Sequence, residues 1–240
     1  MNNTQDAQLI DRLPGTVVTS LINGRTIRFF VANEQDEIQK HHHAGSFYEA
    51  EELSIMRAHW RCDGSYVDIG ANVGNHTIYV AKFLDASRVI VFEPNPAAIR
   101  ILRINLALNQ CTNVDVRYLG TALASETLLM RLVEVDPDNL GGTSFVPDGR
   151  GEVRSVPGDS LLLHENVSFL KIDVEGMEMD ILHGLERTIR NWRPAVFIEV
   201  WSQNSGGFFQ WCEGIGYEIV DQYQRYRDSR NYMAVPKKPR

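Results

Sequence analysis

Two carboxylates, one strand and one helix apart, are the residues of this chain with the clearest chemical meaning. Asp68 lies near the end of an apolar run that breaks at Gly70 and Gly74 and continues as a helical pattern. A buried parallel strand that feeds a tight loop at a helix N-terminus forms a nucleotide-shaped pocket in α/β sheets. The two glycines lack the spacing of the dinucleotide fingerprint G-x-G-x-x-G. Asp68 would repel a pyrophosphate and attract a cationic amino acid group.

The second carboxylate, Glu93, ends the next apolar run, residues 89–92. Its distance from Gly70 is the one at which Rossmann-type folds place the acid that accepts both ribose hydroxyls. Either acid alone could cap a loop or lie exposed at a strand end, but together they predict a nucleoside site. The preferred ligand carries positive charge and no phosphate. S-adenosylmethionine, with its sulfonium, ammonium and adenosine, meets this description.

Chemistry at this site would also need a group that accepts a proton from the second substrate, the acceptor. Asp173 is the leading candidate, because it follows the apolar run 167–172 and would lie at the topological switch point if that strand pairs with the first. His76 and His183 are weaker candidates that are more readily explained as structural. Alternatively, Asp173 and Glu199, at the ends of adjacent predicted strands, bind a divalent cation that acidifies the acceptor. Two carboxylates are weak support for a metal, so no metal site is predicted.

An alternation of strands and helices must position these residues. The predicted strands of the main sheet cover residues 66–69, 89–92, 114–118, 166–172 and 194–201, and the tail predicts a closing antiparallel pair at 217–220 and 232–235. Helical patterns cover residues 77–84 and 96–109, and further helices are predicted after Gly176 and at 208–212. The alternation predicts an α/β fold with a mostly parallel sheet.

Three stretches fall outside this alternation. Residues 16–31 alternate around Asn23-Gly24, which predicts an N-terminal β-hairpin with a type I′ turn. Residues 126–156 hold three short β-like runs separated by turn signals, including one at 136–138. They predict an inserted β-hairpin region that either contacts substrate or extends a sheet edge. Small residues at 119–124 either form the floor of an adenine pocket or pack a turn.

A helix is predicted to begin near Ser46, which forms a candidate capping box with Glu49. The apolar face of this helix is sufficient to explain it structurally. Functionally, it could cover the cofactor and contribute Tyr48 or Glu49. The preceding histidines, 41–43, point in different directions in any regular structure, which argues against a shared metal ion.

Composition limits the class of protein. With 240 residues and a net charge of −7, the chain suits one α/β domain with additions, and it lacks the clustered cations of a nucleic-acid partner. The short basic tail at 237–240 does not alter this. The scattered cysteines Cys62, Cys111 and Cys212 fit neither a disulfide framework nor a zinc site. Residues 1–6 lack a signal-peptide pattern, and no apolar run has membrane-spanning length. A soluble cytoplasmic protein is expected.

Residues 67–74, 91–94, 119–124 and 171–176 together resemble the FkbM-type family of S-adenosylmethionine-dependent methyltransferases. The most specific part is D-V-E-G-x-E following D-I-G-A-N-x-G, and the resemblance spans residues 47–199. It implies a class I methyltransferase, Rossmann-like fold: a seven-stranded, mostly parallel sheet with one antiparallel strand and helices on both faces. It also implies methyl transfer to a hydroxyl of a sugar, glycolipid, polysaccharide or polyketide-type natural product.

By position, the resemblance implies that Asp173 faces the transferring methyl group and that Tyr48 and Glu49 approach the methionine end. With flanking residues included, the predicted cofactor site consists of Tyr48, Glu49, Asp68, Gly70, Ala71, Asn72, Gly74, Asn75, Glu93, Pro94, Asn95, Thr121, Ala122 and Asp173. The predicted organisation is an N-terminal hairpin and covering helix over residues 1–60, followed by an S-adenosylmethionine-binding domain over 61–240.

Two other functional classes stay open. A methyltransferase-like binding module would keep the cofactor site without turnover. A nicotinamide-dependent oxidoreductase would use the same fold, but Asp68 and the missing third glycine count against it. In the favoured interpretation, the partner is a small-molecule or glycan hydroxyl acceptor, not nucleic acid. The sequence does not predict an oligomeric state.

Overall fold

The computed structural model describes residues 13–61, 63–133 and 138–238. Its strands are β1 (Thr16–Ile22), β2 (Arg25–Val31), β3 (Ser65–Ile69), β4 (Val89–Phe92), β5 (Val114–Asp115), β6 (Thr121–Ala124), β7 (Leu129–Val133), β8 (Ser144–Pro147), β9 (Val153–Pro157), β10 (Val167–Ile172), β11 (Ala195–Trp201), β12 (Tyr217–Tyr223) and β13 (Ser229–Pro236). Its helices are α1 (Gln39–His43), α2 (Ala50–Ala58), α3 (Asn75–Phe83), α4 (Pro96–Leu108), α5 (Asp159–Leu162), α6 (Glu178–Gly184), α7 (Glu186–Trp192) and α8 (Ser205–Ile215), with a 3-10 turn at Ser202–Asn204.

A seven-stranded sheet in the order β12-β13-β11-β10-β3-β4-β5 forms the centre of the fold. Strand β13 runs antiparallel to both of its neighbours, and the pairs among β11, β10, β3, β4 and β5 are parallel. Strands β3, β4 and β10 are buried along their whole length, as expected where both faces of a parallel sheet are covered. This confirms the predicted class I methyltransferase, Rossmann-like sheet with one antiparallel strand.

Alternate residues of each central strand face opposite layers of helices. In β4, Ile90 and Phe92 belong to the core cluster that includes residues of α6, α7 and α8. Val89 and Val91 belong to the cluster that includes residues of α2, α3 and α4. The alternation follows from the two-residue period of a strand. Helices therefore cover both faces of the sheet, as predicted.

The parallel strands end together at one edge of the sheet. Ile69 pairs with Phe92 on one side and with Ile172 on the other, and Ile172 pairs with Ile198. The residues that follow these partners are Gly70, Glu93, Asp173 and Glu199. Register alone thus gathers the predicted functional residues at the carboxyl edge, where open α/β sheets bind ligands.

The two predicted additions are present. Strands β1 and β2 form the hairpin, and Asn23 (φ 47°) and Gly24 (φ 77°) supply the two left-handed residues of a type I′ turn. The insertion forms a separate sheet in the order β6-β9-β7-β8, in which β7 and β8 are the predicted hairpin. The predictions for residues 1–6, Cys62, the turn at 136–137 and the end of the tail, 239–240, lie outside the described residues.

Two local predictions were wrong. The third strand stops at Asp115 instead of continuing to 118. The chain turns there because the Asp115 side chain accepts a hydrogen bond from the Arg117 N–H (3.1 Å). After the turn, Tyr118 stacks on Phe92, with 5.1 Å between the ring centroids. The capping box is absent as well. The helix α2 begins only at Ala50, without a side-chain cap, and the Ser46 hydroxyl donates to a preceding carbonyl instead.

The N-terminal additions share a core with the main sheet. Ile27 of β2 and Met56 of α2 belong to the same cluster as Val91 of the central sheet. The Asn105 side chain of α4 accepts a hydrogen bond from the Phe30 N–H (2.7 Å) and so ties the hairpin to that helix. The division into two units at residue 60 stays a prediction.

Candidate active site

A cleft opens at the carboxyl edge of the sheet. Its floor comes from the residues that follow β3, β4, β10 and β11, and its cover comes from the N-terminal segment, the insertion and the loop between β12 and β13. It is lined by Glu37, Ile38, Tyr48, Glu49, Ile69, Gly70, Ala71, Asn72, Asn75, His76, Phe92, Glu93, Pro94, Thr121, Ala122, Leu123, Asn139, Leu140, Gly141, Gly142, Thr143, Ser144, Phe145, Lys171, Asp173, Val174, Glu175, Met177, Ile181, Glu199 and Tyr226. Most predicted site residues are in this set; Asp68, Gly74, Asn95 and His183 are not.

The loop after β3 brings its backbone to the cleft through a position that only glycine fits. Gly70 has φ 79°, and a Cβ atom there would lie 1.9 Å from the Asp173 carbonyl oxygen. The N–H groups of Gly70 and Ala71 both donate to the Phe92 carbonyl (3.0 Å each). Gly74 (φ 94°) instead lies at the start of α3, against Leu102, so its role is structural.

Glu93 is held rigidly at the end of β4, as a ribose-binding acid requires. Its Oε2 accepts from the Asn72 N–H (2.8 Å), and its Oε1 accepts from the Asn95 N–H (2.7 Å). Burial raises the pKa of this carboxyl to about 7, against the opposing effect of these two hydrogen bonds. Each oxygen keeps a further lone pair for a ligand. Asn95 lies behind it and caps α4 by accepting from the Ala97 N–H (2.9 Å).

A buried cation under the cleft, Lys171, was missed by the sequence interpretation. Its Nζ lies 3.3 Å from Asp68 Oδ1 and 3.1 Å from Asp173 Oδ2, and it donates to the Gly70 carbonyl (2.7 Å). The signal was a lysine inside an otherwise apolar strand, since lysine is rarely buried unless it is paired. Lys171 and Asp68 are register partners on adjacent parallel strands, which brings them together.

Asp68 therefore does not line the cleft, although the sequence predicts it as a direct contact of the ligand. Its side chain is 0% exposed, and its second oxygen accepts from the Thr77 hydroxyl (2.6 Å). Burial by itself would lower the pKa of Lys171, but Asp173, Asp68 and Glu49 outweigh it and raise that pKa. Asp68 acts on the cleft through the lysine that it keeps charged.

Asp173 and Glu199 face each other in the cleft with different protonation. Burial by itself raises the pKa of Asp173, but Lys171, a hydrogen bond with Glu199 and His76 hold it below its usual value. Burial and then the Asp173 charge raise the pKa of Glu199 to about 9, while the Ser229 hydroxyl donates to its Oε1 (2.7 Å). Near neutral pH, Glu199 keeps its proton and Asp173 is a carboxylate. Two neighbouring acids with separated pKa values can divide acid and base roles.

A turn fixed by Asn75 directs Glu49 to the cleft. The Asn75 Oδ1 accepts from the Tyr48 N–H (2.9 Å), and its Nδ2 donates to the Tyr48 carbonyl (3.0 Å). Glu49 then adopts a left-handed backbone, φ 58°, which is costly for a residue with a side chain. Burial, followed by Asp173 and Glu52, raises its pKa to about 8. This strained acid lines the cleft, and its contact with the methionine end of the cofactor stays a prediction.

The histidines have different roles. His42 is buried, stacks on Phe29 (4.1 Å between ring centroids) and lies 3.1 Å from Asn75 Oδ1, so it supports the Asn75 turn. His76 lines the cleft with its Nε2 3.5 Å from Glu49 Oε2, and burial, followed by Lys171, lowers its pKa to about 4. His183 is exposed on α6, away from the cleft.

Thr121 and Ala122 line the cleft, as do the apolar side chains of Pro94, Phe145 and Met177. Whether residues 119–124 form the floor of an adenine pocket or pack a turn stays a prediction.

The insertion reaches over the cleft through the buried Asp36. Its Oδ2 accepts from the Leu140 N–H (2.9 Å), and its Oδ1 accepts from the Ile38 and Gln39 N–H groups (3.1 and 2.9 Å). This carboxylate joins the start of α1 to the insertion loop, which together cover the cleft.

Residues 13–61, 63–133 and 138–238 contain no group of three or more His, Cys, Asp or Glu side chains arranged to hold a metal ion. Within the same ranges, each helix is too short or too polar to span a bilayer.

Comparison with known proteins adds independent information. The domain described as "Methyltransferase FkbM domain" matches residues 68–230. Methyltransferase 1 of Beauveria bassiana (strain ARSEF 2860) is 27% identical over 149 residues, covering 52% of this chain and 59% of that protein. Methyltransferase sdnD of Sordaria araneosa is 25% identical over 179 residues, covering 56% of this chain and 65% of that protein. The match thus spans about three fifths of the length of these curated relatives.

Among solved structures, methyltransferase FkbM from Methylobacillus flagellatus KT aligns with a TM-score of 0.52 at 20% identity, over 71% of this chain and 43% of that one. At this identity the likeness supports the fold alone. The domain match covers more than half of the sequence and includes the strand ends that build the cleft. The chain belongs to the FkbM methyltransferase domain family.

Proposed function

We propose that this protein is an S-adenosylmethionine-dependent methyltransferase that transfers a methyl group to a hydroxyl oxygen. The observation that carries the proposal is the arrangement of Glu93, Glu49 and Asp173 along one cleft. Glu93 offers fixed lone pairs for ribose hydroxyls, and the other two acids line the same cleft, where their carboxylates would attract a sulfonium and an ammonium. A pyrophosphate would meet carboxylates in the same place, which argues against a dinucleotide.

The described residues fit this cofactor in a second respect. His76 is only 5% exposed, and among residues 13–61, 63–133 and 138–238 its buried Nε2 has no hydrogen-bond partner. A buried polar atom without a partner is costly unless a ligand or water satisfies it. Bound S-adenosylmethionine would supply an activated methyl group, its adenine lying against Thr121 and Ala122 and its amino acid end near Glu49.

In the proposed mechanism, Asp173 orients the acceptor hydroxyl and takes its proton as the oxygen attacks. Methylation makes that proton strongly acidic, so a carboxylate with a low pKa is a sufficient acceptor late in the reaction. Lys171 keeps Asp173 ionised before transfer. Glu199 donates a hydrogen bond to Asp173 and fixes its orientation. Most of the rate enhancement would come from alignment of the two bound partners.

The resemblance supports a hydroxyl of a sugar, glycolipid, polysaccharide or polyketide-type natural product as the acceptor. Cytoplasmic location is part of the same proposal, because the three scattered cysteines of the sequence fit no disulfide framework.

Calorimetric titration with S-adenosylmethionine, with NAD as the control ligand, tests the proposal. We expect saturable binding of S-adenosylmethionine only. Glu93→Ala should weaken it at least tenfold, whereas Glu213→Ala, an exposed acid on α8, should not change it. Binding of NAD instead would support the oxidoreductase. Binding without transfer of labelled methyl to any screened hydroxyl compound would support the non-catalytic binding module.

A further inference from the structure

Glu175 is a carboxylate of the cleft that the fold itself does not use. It lies two residues after Asp173, lines the cleft and is half-buried. Within the described residues, its side chain takes part in no hydrogen bond or ion pair. Burial, then Asp173 and Glu178, raise its pKa to about 7. A half-buried acid beside other acids costs stability, so its position needs an explanation other than folding.

Helix capping does not explain Glu175, because no side-chain cap forms at the start of α6. Glu178 is fully buried, and its Oε1 accepts from the Gly176 N–H (3.1 Å). Its Oε2 accepts from the Asn204 amide, which anchors the loop to the chain after β11. The two glutamates of the D-V-E-G-x-E element are therefore divided between the fold and the cleft.

The charges around Glu175 restrict what it can bind. Six acids line the cleft: Glu37, Glu49, Glu93, Asp173, Glu175 and Glu199. Among the described lining residues, Lys171 is the one basic side chain other than the neutral His76. Lys171 is 2% exposed, and its Nζ already contacts Asp68, Asp173 and the Gly70 carbonyl. No lining cation is thus available to an anionic ligand.

A second observation points to a ligand in the same cleft. The Nε2 of His76 is buried, lies 3.5 Å from Glu49 Oε2 and makes no hydrogen bond within the described residues. A neutral imidazole nitrogen can exchange a hydrogen bond with a hydroxyl or an amine. Hydrogen bonds to carboxylates are stronger than those between neutral groups. Around Asp173 and Glu175, the cleft therefore favours a ligand that brings hydrogen-bond donors and carries no negative charge.

We propose that the acceptor molecule is an uncharged or amine-bearing polyol, that the cleft rejects its anionic analogues, and that Glu175 binds a hydroxyl or amine of the acceptor next to the one methylated. This inference rests on the proposed function and adds the charge class of the acceptor and one binding residue. Glu175 would contribute to acceptor binding but not to binding of the cofactor.

The test uses four probes on one ring scaffold: glucose, glucosamine, glucuronate and glucose 6-phosphate. Their binding to the protein saturated with S-adenosylhomocysteine is measured at pH 8 by saturation-transfer NMR and titration. We expect glucose and glucosamine to bind at least tenfold more tightly than the two anions. Glu175→Gln, which keeps the shape and removes the charge, should weaken glucosamine binding at least fivefold and reduce the discrimination. Glu213→Gln is the matched control on an exposed surface.

Three results would overturn the inference: tighter binding of either anion, indistinguishable signals from all four probes, or unchanged discrimination in Glu175→Gln. Titration of the wild type and of Glu175→Gln with S-adenosylmethionine separates failure of this inference from failure of the proposed function. Absence of cofactor binding in the wild-type protein would refute the methyltransferase assignment itself. Intact cofactor binding with the wrong order of probes refutes only the charge class of the acceptor.

Discussion

Replacement of Lys171 by methionine tests whether one buried cation holds the centre of the site together. Lys171→Met keeps a long apolar side chain but leaves Asp68, which is 0% exposed, with only the Thr77 hydroxyl as a partner. Removing one partner of a buried ion pair costs about 3–5 kcal/mol. The retained hydrogen bond favours the lower end, and the Gly70 carbonyl that loses its donor adds about 1 kcal/mol. We therefore expect a loss of roughly 4 kcal/mol, a large share of the ~5–15 kcal/mol typical of a folded domain.

Urea unfolding of four proteins measures this loss: the wild type, Lys171→Met, the double variant Asp68→Asn/Lys171→Met, and the exposed control Lys238→Met. The double variant removes both charges, so it should regain at least about 1 kcal/mol relative to Lys171→Met. The control should stay within about 0.5 kcal/mol of the wild type. A Lys171→Met protein within about 1 kcal/mol of the wild type would refute the reasoning. A double variant no more stable than the single one would show that the unpaired Asp68 charge is not the cause.

Three further predictions use other parts of the cleft. Gly70→Ala should lower the free energy of unfolding in urea by more than about 3 kcal/mol, because its Cβ would lie 1.9 Å from a backbone oxygen. Gly176→Ala, with a similar φ of 86° but open space around it, should lose only the ~1–2 kcal/mol that a left-handed backbone costs. Equal losses in the two variants would contradict the argument from close approach. Affinity for S-adenosylmethionine should rise as pH increases through about 8, because burial and neighbouring acids raise the pKa of Glu49 to about 8 and the carboxylate attracts the cationic ligand only when it is charged. Glu49→Gln should flatten the pH profile of the affinity, measured by calorimetry between pH 6.5 and 9. An unchanged profile in this variant would assign the effect to another group. Asp36→Ala leaves the Leu140 N–H and the start of α1 without their acceptor, which should lower the free energy of unfolding by about 1–3 kcal/mol. Stopped-flow measurements should then show faster release of S-adenosylmethionine. An unchanged release rate would show that the insertion does not retain the ligand.

The divided roles of the two glutamates after β10 bear on how such motifs are interpreted. A carboxylate in a first helical turn favours the helix dipole, so capping is the simplest explanation for Glu175 and Glu178 alike. In the structure, neither glutamate caps α6: Glu178 accepts from the Gly176 N–H and from the Asn204 amide, which anchors the turn to another segment. The course of the backbone after Asp173 decides that Glu175 lines the cleft and that Glu178 is buried. The sequence pattern does not predict that course.

The sequence by itself determined the features that depend on local order. The apolar runs that end in Glu93 and Asp173, the Asn23-Gly24 turn and the alternation of strands with helices follow from side-chain period and backbone preference, and the structure has each of them. Because parallel strands of a doubly wound sheet end at one edge, strand order alone was enough to predict a shared cleft.

Tertiary structure decided the contacts between segments far apart in the chain. Strand register paired Asp68 with Lys171, more than one hundred residues away, and turned a predicted ligand contact into a buried support. The Asn75 clamp placed Glu49 in a left-handed turn where a capping box had been expected. These outcomes depend on which side chains are neighbours in space, and burial makes those neighbours decisive, because a desolvated charge must find its partner wherever the fold places one.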